Sequence, residues 1–150
     1  MEPTIVSKPA FTVVGVLYRG KNEHGEIPRL WDQKLLPRAD EVCDQVTPHL
    51  AYGVLDHFDR QTSEFDYLAG VGVERVTQLP EGMVRWDVPA QTYAVFPCTL
   101  PTIMAGFDNA RRWFAQSGIQ RAEGPEFEFY DEHFMGGDSA LTIYMPIKHA

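Results

Sequence analysis

The chain has 150 residues, of which 44% are hydrophobic and 23% are charged, and its formal net charge is −8 at pH 7. This size and composition are typical of one globular domain with its own core, here residues 1–150. The negative charge argues against nucleic-acid binding, and the lack of a signal peptide or of an apolar run near 20 residues argues against export and against a membrane span. We therefore expect a cytoplasmic protein.

Cysteine and histidine are too scattered to predict a metal site. Cys43 and Cys98 form no Cys-x-x-Cys pair, and the five histidines form neither His-x-x-x-His nor His-Glu-x-x-His. Two cysteines do not make a disulfide framework either. The sequence therefore predicts no metal and no cofactor.

The first half of the chain predicts a strand, a helix and two more strands. Ile27, Trp31 and Leu35 recur every four residues and form one apolar face of the helix. Pro28 suits its first turn, and Pro37 is expected to end or kink it. The predicted strands, rich in β-branched and aromatic residues, are 11–18, 52–58 and 65–73.

The second half repeats this order. An apolar stripe with helical spacing predicts its helix, with Thr102 as the N-terminal cap and Gly118 just past the C-terminus. Residues 84–88, in the joint between the halves, favour one further strand. The predicted strands of the second half are 92–96, 127–130 and 141–147.

The order strand–helix–strand–strand thus occurs twice, in half-repeats of about 1–80 and 81–150. This duplication predicts an α+β fold in which an antiparallel sheet carries helices on one face. Two similar units are related by a pseudo-twofold axis, and a groove along that axis is a natural ligand site.

One acid, Glu128, lies in an otherwise aromatic strand. Because alternate side chains share a face, Glu128 and Tyr130 point one way, and Phe127 and Phe129 point the other. A carboxylate in an apolar environment is costly without a partner. On this pattern alone, Glu128 either faces solvent or lines a cavity that holds a ligand.

Two tyrosines and two tryptophans are candidates for the surroundings of Glu128. Tyr67 and Tyr144 each lie in the last strand of their half, so the pseudo-twofold predicts that they approach the same groove. The alternative is that both are ordinary half-buried strand tyrosines. Trp31 and Trp113 lie on equivalent helices and either pack in the core or cover the groove.

A set of short motifs spans nearly the whole chain: Val14-Gly15-Val16, Trp31, Tyr52-Gly53-Val54, Phe65-x-Tyr67-x-Ala69-Gly70, Pro80-Glu81-Gly82-Met83, Tyr93-Ala94-Val95-Phe96, Phe127-Glu128-x-Tyr130-Asp131 and Ile143-Tyr144-x-Pro146. Their order resembles the GyrI-like small-molecule-binding domain, also called the AraC-type effector-binding domain. That family is built from two strand–helix–strand–strand units. The segment 96–100 departs from the basic or histidine–glycine step that the family usually has there.

The resemblance implies that Glu128 lies in an aromatic-lined pocket between the two units and pairs with a lipophilic, cationic small molecule. With only eight residues before Pro9, we expect a member without a fused DNA-binding region. Taken with the face and repeat arguments, the expected ligand-binding residues are Glu128, Tyr67, Tyr144, Trp31, Tyr130 and Trp113.

Three functions fit these expectations. The first is a binding module for amphipathic, cationic, aromatic ligands. The second is a hydrolase that opens strained rings of toxic small molecules, with Glu128 as general acid or base and the Tyr144 hydroxyl holding the developing oxyanion. The third is a gyrase-inhibitor-like factor, whose protein partner the sequence does not identify.

Overall fold

The computed structural model of the protein describes residues 2–148. Within this range, eight strands form one antiparallel sheet and two helices pack on it. The strands are β1 Thr4–Lys8, β2 Phe11–Gly20, β3 Ala51–Asp56, β4 Phe65–Val73, β5 Val84–Val88, β6 Gln91–Cys98, β7 Glu126–Tyr130 and β8 Leu141–Pro146. Helix α2 is Ile103–Ser117, and α1 consists of an α-helical turn Glu26–Arg29, a π-helical segment Leu30–Leu35 and a 3-10 segment Leu36–Glu41.

No helix within residues 2–148 combines the length and the apolar character that crossing a bilayer requires.

The strand order confirms the predicted duplication. The sheet runs β1-β6-β8-β7-β3-β4-β2-β5. Its six inner strands read as β6-β8-β7 from one side and as β2-β4-β3 from the other, and the halves meet where β3 pairs with β7. Each half is a strand–helix–strand–strand unit, so the α+β fold with a pseudo-twofold axis is confirmed.

The sheet curls until its two ends meet. The β1–β6 and β2–β5 pairs share one register, since Lys8 lies opposite Gln91 and Phe11 lies opposite Val88. Residues 4–15 therefore pair with residues 84–95 as one long antiparallel ribbon, interrupted only where Pro9 and Pro89 lie. Proline has no N–H for the strand ladder, which explains the interruption. The sequence analysis did not predict β1, because five residues of modest apolar character give little signal.

The curled sheet has an inner and an outer face. The inner face is a core of aromatic and aliphatic side chains, in which the rings of Phe11 and Phe127 are 5.2 Å apart although two strands separate β2 from β7. The outer face carries both helices, as predicted: α1 packs on β2 and β4, and α2 packs on β6 and β8. The two central strands, β3 and β7, lie between the helices, and we call the outer face over these two strands the groove.

The helices differ in regularity. In α1, Leu35 is fully buried and Trp31 is partly buried, so the predicted apolar face is correct. Pro37 lies where α1 changes from its π-helical to its 3-10 segment, so the chain continues past it in a different helix type. Gly118 ends α2 in the left-handed conformation (φ 78°), as predicted, whereas Thr102 makes no side-chain cap.

Candidate ligand-binding site

Glu128 is a buried carboxylic acid on the floor of this groove. It lies on β7, opposite Gly53 of β3 and Ile143 of β8, and only 6% of the residue is exposed. Burial raises its pKa from 4.5 to about 7, although hydrogen bonds from Tyr67 and Tyr130 act in the opposite direction. Near neutral pH the group is therefore poised between its neutral and charged forms.

Two tyrosine hydroxyls donate to the same carboxylate oxygen. The Oη of Tyr67 lies 2.7 Å, and the Oη of Tyr130 lies 2.8 Å, from Oε1 of Glu128. Burial, together with the neighbouring Glu128 charge, raises the pKa of both phenols, so both remain protonated donors. Oε2 receives no hydrogen bond from any residue in the described part of the chain. One oxygen of the carboxylate is thus held by the protein, and the other has no such contact among the described residues.

Trp31 sets the direction of the Tyr67 hydroxyl. Its indole Nε1 lies 2.8 Å from the Oη of Tyr67. Because an indole N–H can only donate, it uses a lone pair of Tyr67, whose single proton then points to Glu128. The Trp31 ring also packs edge-on against Tyr130, with centroids 5.5 Å apart. Trp31 belongs to the π-helical segment of α1, a helix type that is frequent at functional sites.

Gly53 leaves the space in which these groups meet. A Cβ atom at this position would overlap the Oη of Tyr67 and Oε1 of Glu128. Any residue other than glycine would therefore displace one of the two partners. The Tyr-Gly-Val motif of β3 is thus explained by close approach at the site, which the sequence analysis did not recognise.

Comparison with known proteins agrees with this fold. Residues 4–147 match the Cass2 family, described as integron-associated effector binding protein. The chain belongs to this family. Its predicted resemblance to GyrI-like effector-binding domains is thereby confirmed.

Relatives of this Cass2 protein include a longer regulator and two structures of similar size. The transcriptional regulator BrlR of Pseudomonas aeruginosa is 37% identical over an alignment of 153 positions that covers 98% of this chain and 56% of BrlR. The chain thus spans little more than half the length of BrlR. Integron cassette protein VCH_CASS2 of Vibrio cholerae has a TM-score of 0.74 at 20% identity, covering 98% of this chain and 96% of that one. SAV2435, in a structure bound to tetraphenylphosphonium, has a TM-score of 0.75 at 13% identity, covering 99% of this chain and 94% of that one.

In this Cass2 protein, Tyr144 does not lie beside Glu128, and that prediction is wrong. Tyr144 pairs across the strands with Phe127, and their rings stack at 4.6 Å in the inner core. The residue of β8 that faces the same side as Glu128 is its cross-strand partner Ile143. Side chains alternate along a strand, so a difference of one position moves the tyrosine to the opposite face.

Trp113 also lies apart from the hydrogen-bonded group. It is half-buried on α2, where its ring packs edge-on against Phe96 and Phe114 at 5.7 and 5.0 Å. No contact found within residues 2–148 joins it to Glu128, Tyr67 or Tyr130. Its role in ligand binding stays a prediction.

Two residues that the sequence analysis missed lie near the site. Phe134 packs on Tyr130 with ring centroids 4.7 Å apart. Burial and the charge of Glu128 raise the pKa of the Cys98 thiol to about 11, so this thiol is neutral. Cys98 lies in the segment 96–100 that departs from the family pattern, and this departure was the one sequence feature that could have pointed to it.

No cluster of three or more acidic, histidine or cysteine side chains among the described residues is arranged to hold a metal.

Proposed function

We propose that this protein binds amphipathic, cationic, aromatic small molecules in the groove over β3 and β7, with Glu128 as the counter-charge. The observation that carries the proposal is the carboxylate itself. Glu128 is buried, has one oxygen without a donor, and forms no salt bridge with any described residue. A buried charge without an ionic partner is unfavourable, and a ligand cation would supply that partner.

The groups around Glu128 suit a ligand of this class. Trp31 is partly exposed and offers ring surface beside the acid, and Tyr130 packs edge-on against the Trp31 ring. Each well-placed cation–π contact contributes about 0.5–2 kcal/mol. The net charge of −8 attracts cations and disfavours nucleic acid as a direct partner of this domain. The similar fold of SAV2435, which binds the aromatic cation tetraphenylphosphonium, supports the same ligand class.

Calorimetric titration with tetraphenylphosphonium tests the proposal directly. The variant Glu128→Gln keeps an acceptor for both tyrosine hydroxyls but removes the charge. We expect it to bind more weakly by about 1–3 kcal/mol, the scale of losing a charged partner. Glu123→Gln, the same change at an exposed acid, is the matched control and should bind like the wild type. Equal affinity of Glu128→Gln and the wild type would overturn the role of Glu128.

The pKa of Glu128 near 7 also favours a second candidate, the opening of strained rings with Glu128 as general acid or base. Tyr144 would not hold the developing oxyanion, because it faces the inner core, and the hydroxyls of Tyr67 and Tyr130 already donate to Glu128. This reaction requires product beyond one equivalent of protein, and its disappearance in Glu128→Gln. Binding without product would favour the first function.

A further inference from the structure

The floor of the groove carries a second acid, Glu126. It precedes Glu128 by two residues on β7, so both side chains leave the same face of the strand. Their Cα atoms are therefore about 7 Å apart. Glu126 lies opposite Leu55 of β3. Its side chain is 23% exposed, so a ligand in the groove can reach it.

The charge of Arg111 on α2 favours the ionised form of this acid, and Arg121 pairs with it directly. The Nη2 of Arg121 lies 3.3 Å from Oε1 of Glu126, a long contact. The same guanidinium donates to the carbonyl oxygens of Ala122 at 2.9 Å and of Gly124 at 3.4 Å, which holds it on the loop before β7. Oε2 of Glu126 receives no hydrogen bond from the part of the chain that the structure describes. Glu126 therefore resembles Glu128 in having one carboxylate oxygen fixed and one free.

Tyr130, two residues after Glu128 on the same face of β7, contributes an aromatic ring. Beyond Glu128, the ring of Tyr130 is covered by Phe134, and the adjacent Met135 is 90% exposed. Along β7 the groove thus changes from aromatic at Tyr130, through the buried acid Glu128, to the more exposed acid Glu126. A molecule with an aromatic body, one cationic centre and a second cationic centre on a short arm would match this order.

We propose that Glu126 is a second anionic subsite and that the groove selects amphipathic dications over monocations with the same ring system. This inference rests on the proposed function, since it assumes that Glu128 holds the first cationic centre. Glu126 then determines specificity by binding the second centre, without being required for monocations.

Ethidium and propidium test this selectivity, because both contain the phenanthridinium cation and propidium adds a quaternary ammonium on a short alkyl chain. Affinities for the wild type, Glu126→Gln, Glu128→Gln and Glu123→Gln would be measured by calorimetry at pH 8. Glutamine at 126 still accepts the hydrogen bond from Arg121, so the loop before β7 should be preserved. Thermal unfolding of each variant checks this.

We expect the wild type to bind propidium about fivefold more tightly than ethidium, the upper end for a partly exposed ion pair. Glu126→Gln should abolish that preference by weakening propidium more than ethidium, Glu128→Gln should weaken both dyes, and Glu123→Gln should keep the preference. If ethidium binding depends on Glu128 but the preference is absent or survives in Glu126→Gln, this inference is overturned and the proposed function stands. If neither dye binds the wild type, both the proposed function and the inference about Glu126 are overturned.

Discussion

Gly53 and Glu128 lie directly opposite each other on β3 and β7, and the missing side chain of Gly53 is what allows Tyr67 to reach the carboxylate. We expect Gly53→Ala to lower the free energy of unfolding by about 1–3 kcal/mol, because a Cβ atom would break the buried hydrogen bond between Tyr67 and Glu128. Urea denaturation measures this change.

A double-mutant cycle separates that contact from a general effect on the strand. In a Tyr67→Phe background the hydroxyl that the new methyl group would displace is already absent, so Gly53→Ala should cost less. The same cost in both backgrounds would contradict the assigned role of Gly53.

The stability of the free protein should fall as pH rises. The folded-state pKa of Glu128, about 7, lies above its unfolded value of 4.5, so the folded protein holds this proton more tightly. The resulting stabilisation is complete below pH 4.5 and is lost as pH rises to 7, by about 3 kcal/mol in total. Denaturation at pH 4.5 and pH 8 should show that loss in the wild type relative to Glu128→Gln, in which position 128 does not titrate. Parallel pH profiles of the two proteins would show that Glu128 has an ordinary pKa.

Cation binding should have the opposite pH dependence. Below pH 7 the cation must displace the proton of Glu128, so the affinity for tetraphenylphosphonium should fall about tenfold for each pH unit below 7 and level off above it. Calorimetry at pH 6 in two buffers of different ionisation enthalpy should show nearly one proton released per cation bound. In Glu128→Gln the affinity should be independent of pH, and a wild-type affinity that does not change from pH 5 to 8 would contradict proton displacement.

The order of strands and helices could be predicted from the sequence more accurately than the face of the sheet on which each strand side chain lies. The repeat was recognisable because each unit keeps its own strand and helix patterns, and Glu128 and Tyr130 were correctly assigned to one face by their spacing of two. Tyr144 was misplaced because its equivalence to Tyr67 was inferred from position in the repeat, and only the cross-strand register distinguishes residue 143 from 144. That register depends on the β7–β8 pairing, which motif order does not encode.

Other parts of the site depend on contacts between residues distant in sequence. Trp31 and Tyr67 are 36 positions apart, and Tyr67 and Glu128 are 61 apart. The spacing within α1 predicted that Trp31 faces the sheet, but not that its N–H would meet a tyrosine. Gly53 is likewise explained only by what lies beside it on β4 and β7.

The chain of donors from Trp31 through Tyr67 to Glu128 leads to a prediction for Trp31→Phe. This variant keeps an aromatic ring but removes the N–H, so the Tyr67 hydroxyl is no longer directed to Glu128 and stabilises its charged form less. The pKa of Glu128 should rise further, and more of the acid should be neutral at pH 7. We therefore expect weaker binding of tetraphenylphosphonium at pH 7, by about 1 kcal/mol, the scale of one hydrogen bond.

The pH dependence distinguishes this effect from the loss of ring contact with the ligand. At pH 9 Glu128 is ionised in the wild type and in Trp31→Phe, so the part of the deficit that arises from protonation should disappear. Trp86→Phe, at a tryptophan of β5 whose ring stacks on His57 and not on the site, should match the wild type at both pH values. A deficit in Trp31→Phe that is equally large at pH 7 and pH 9 would mean that Trp31 contributes only ring contact with the ligand. Its N–H would then not be needed to direct the Tyr67 proton to Glu128.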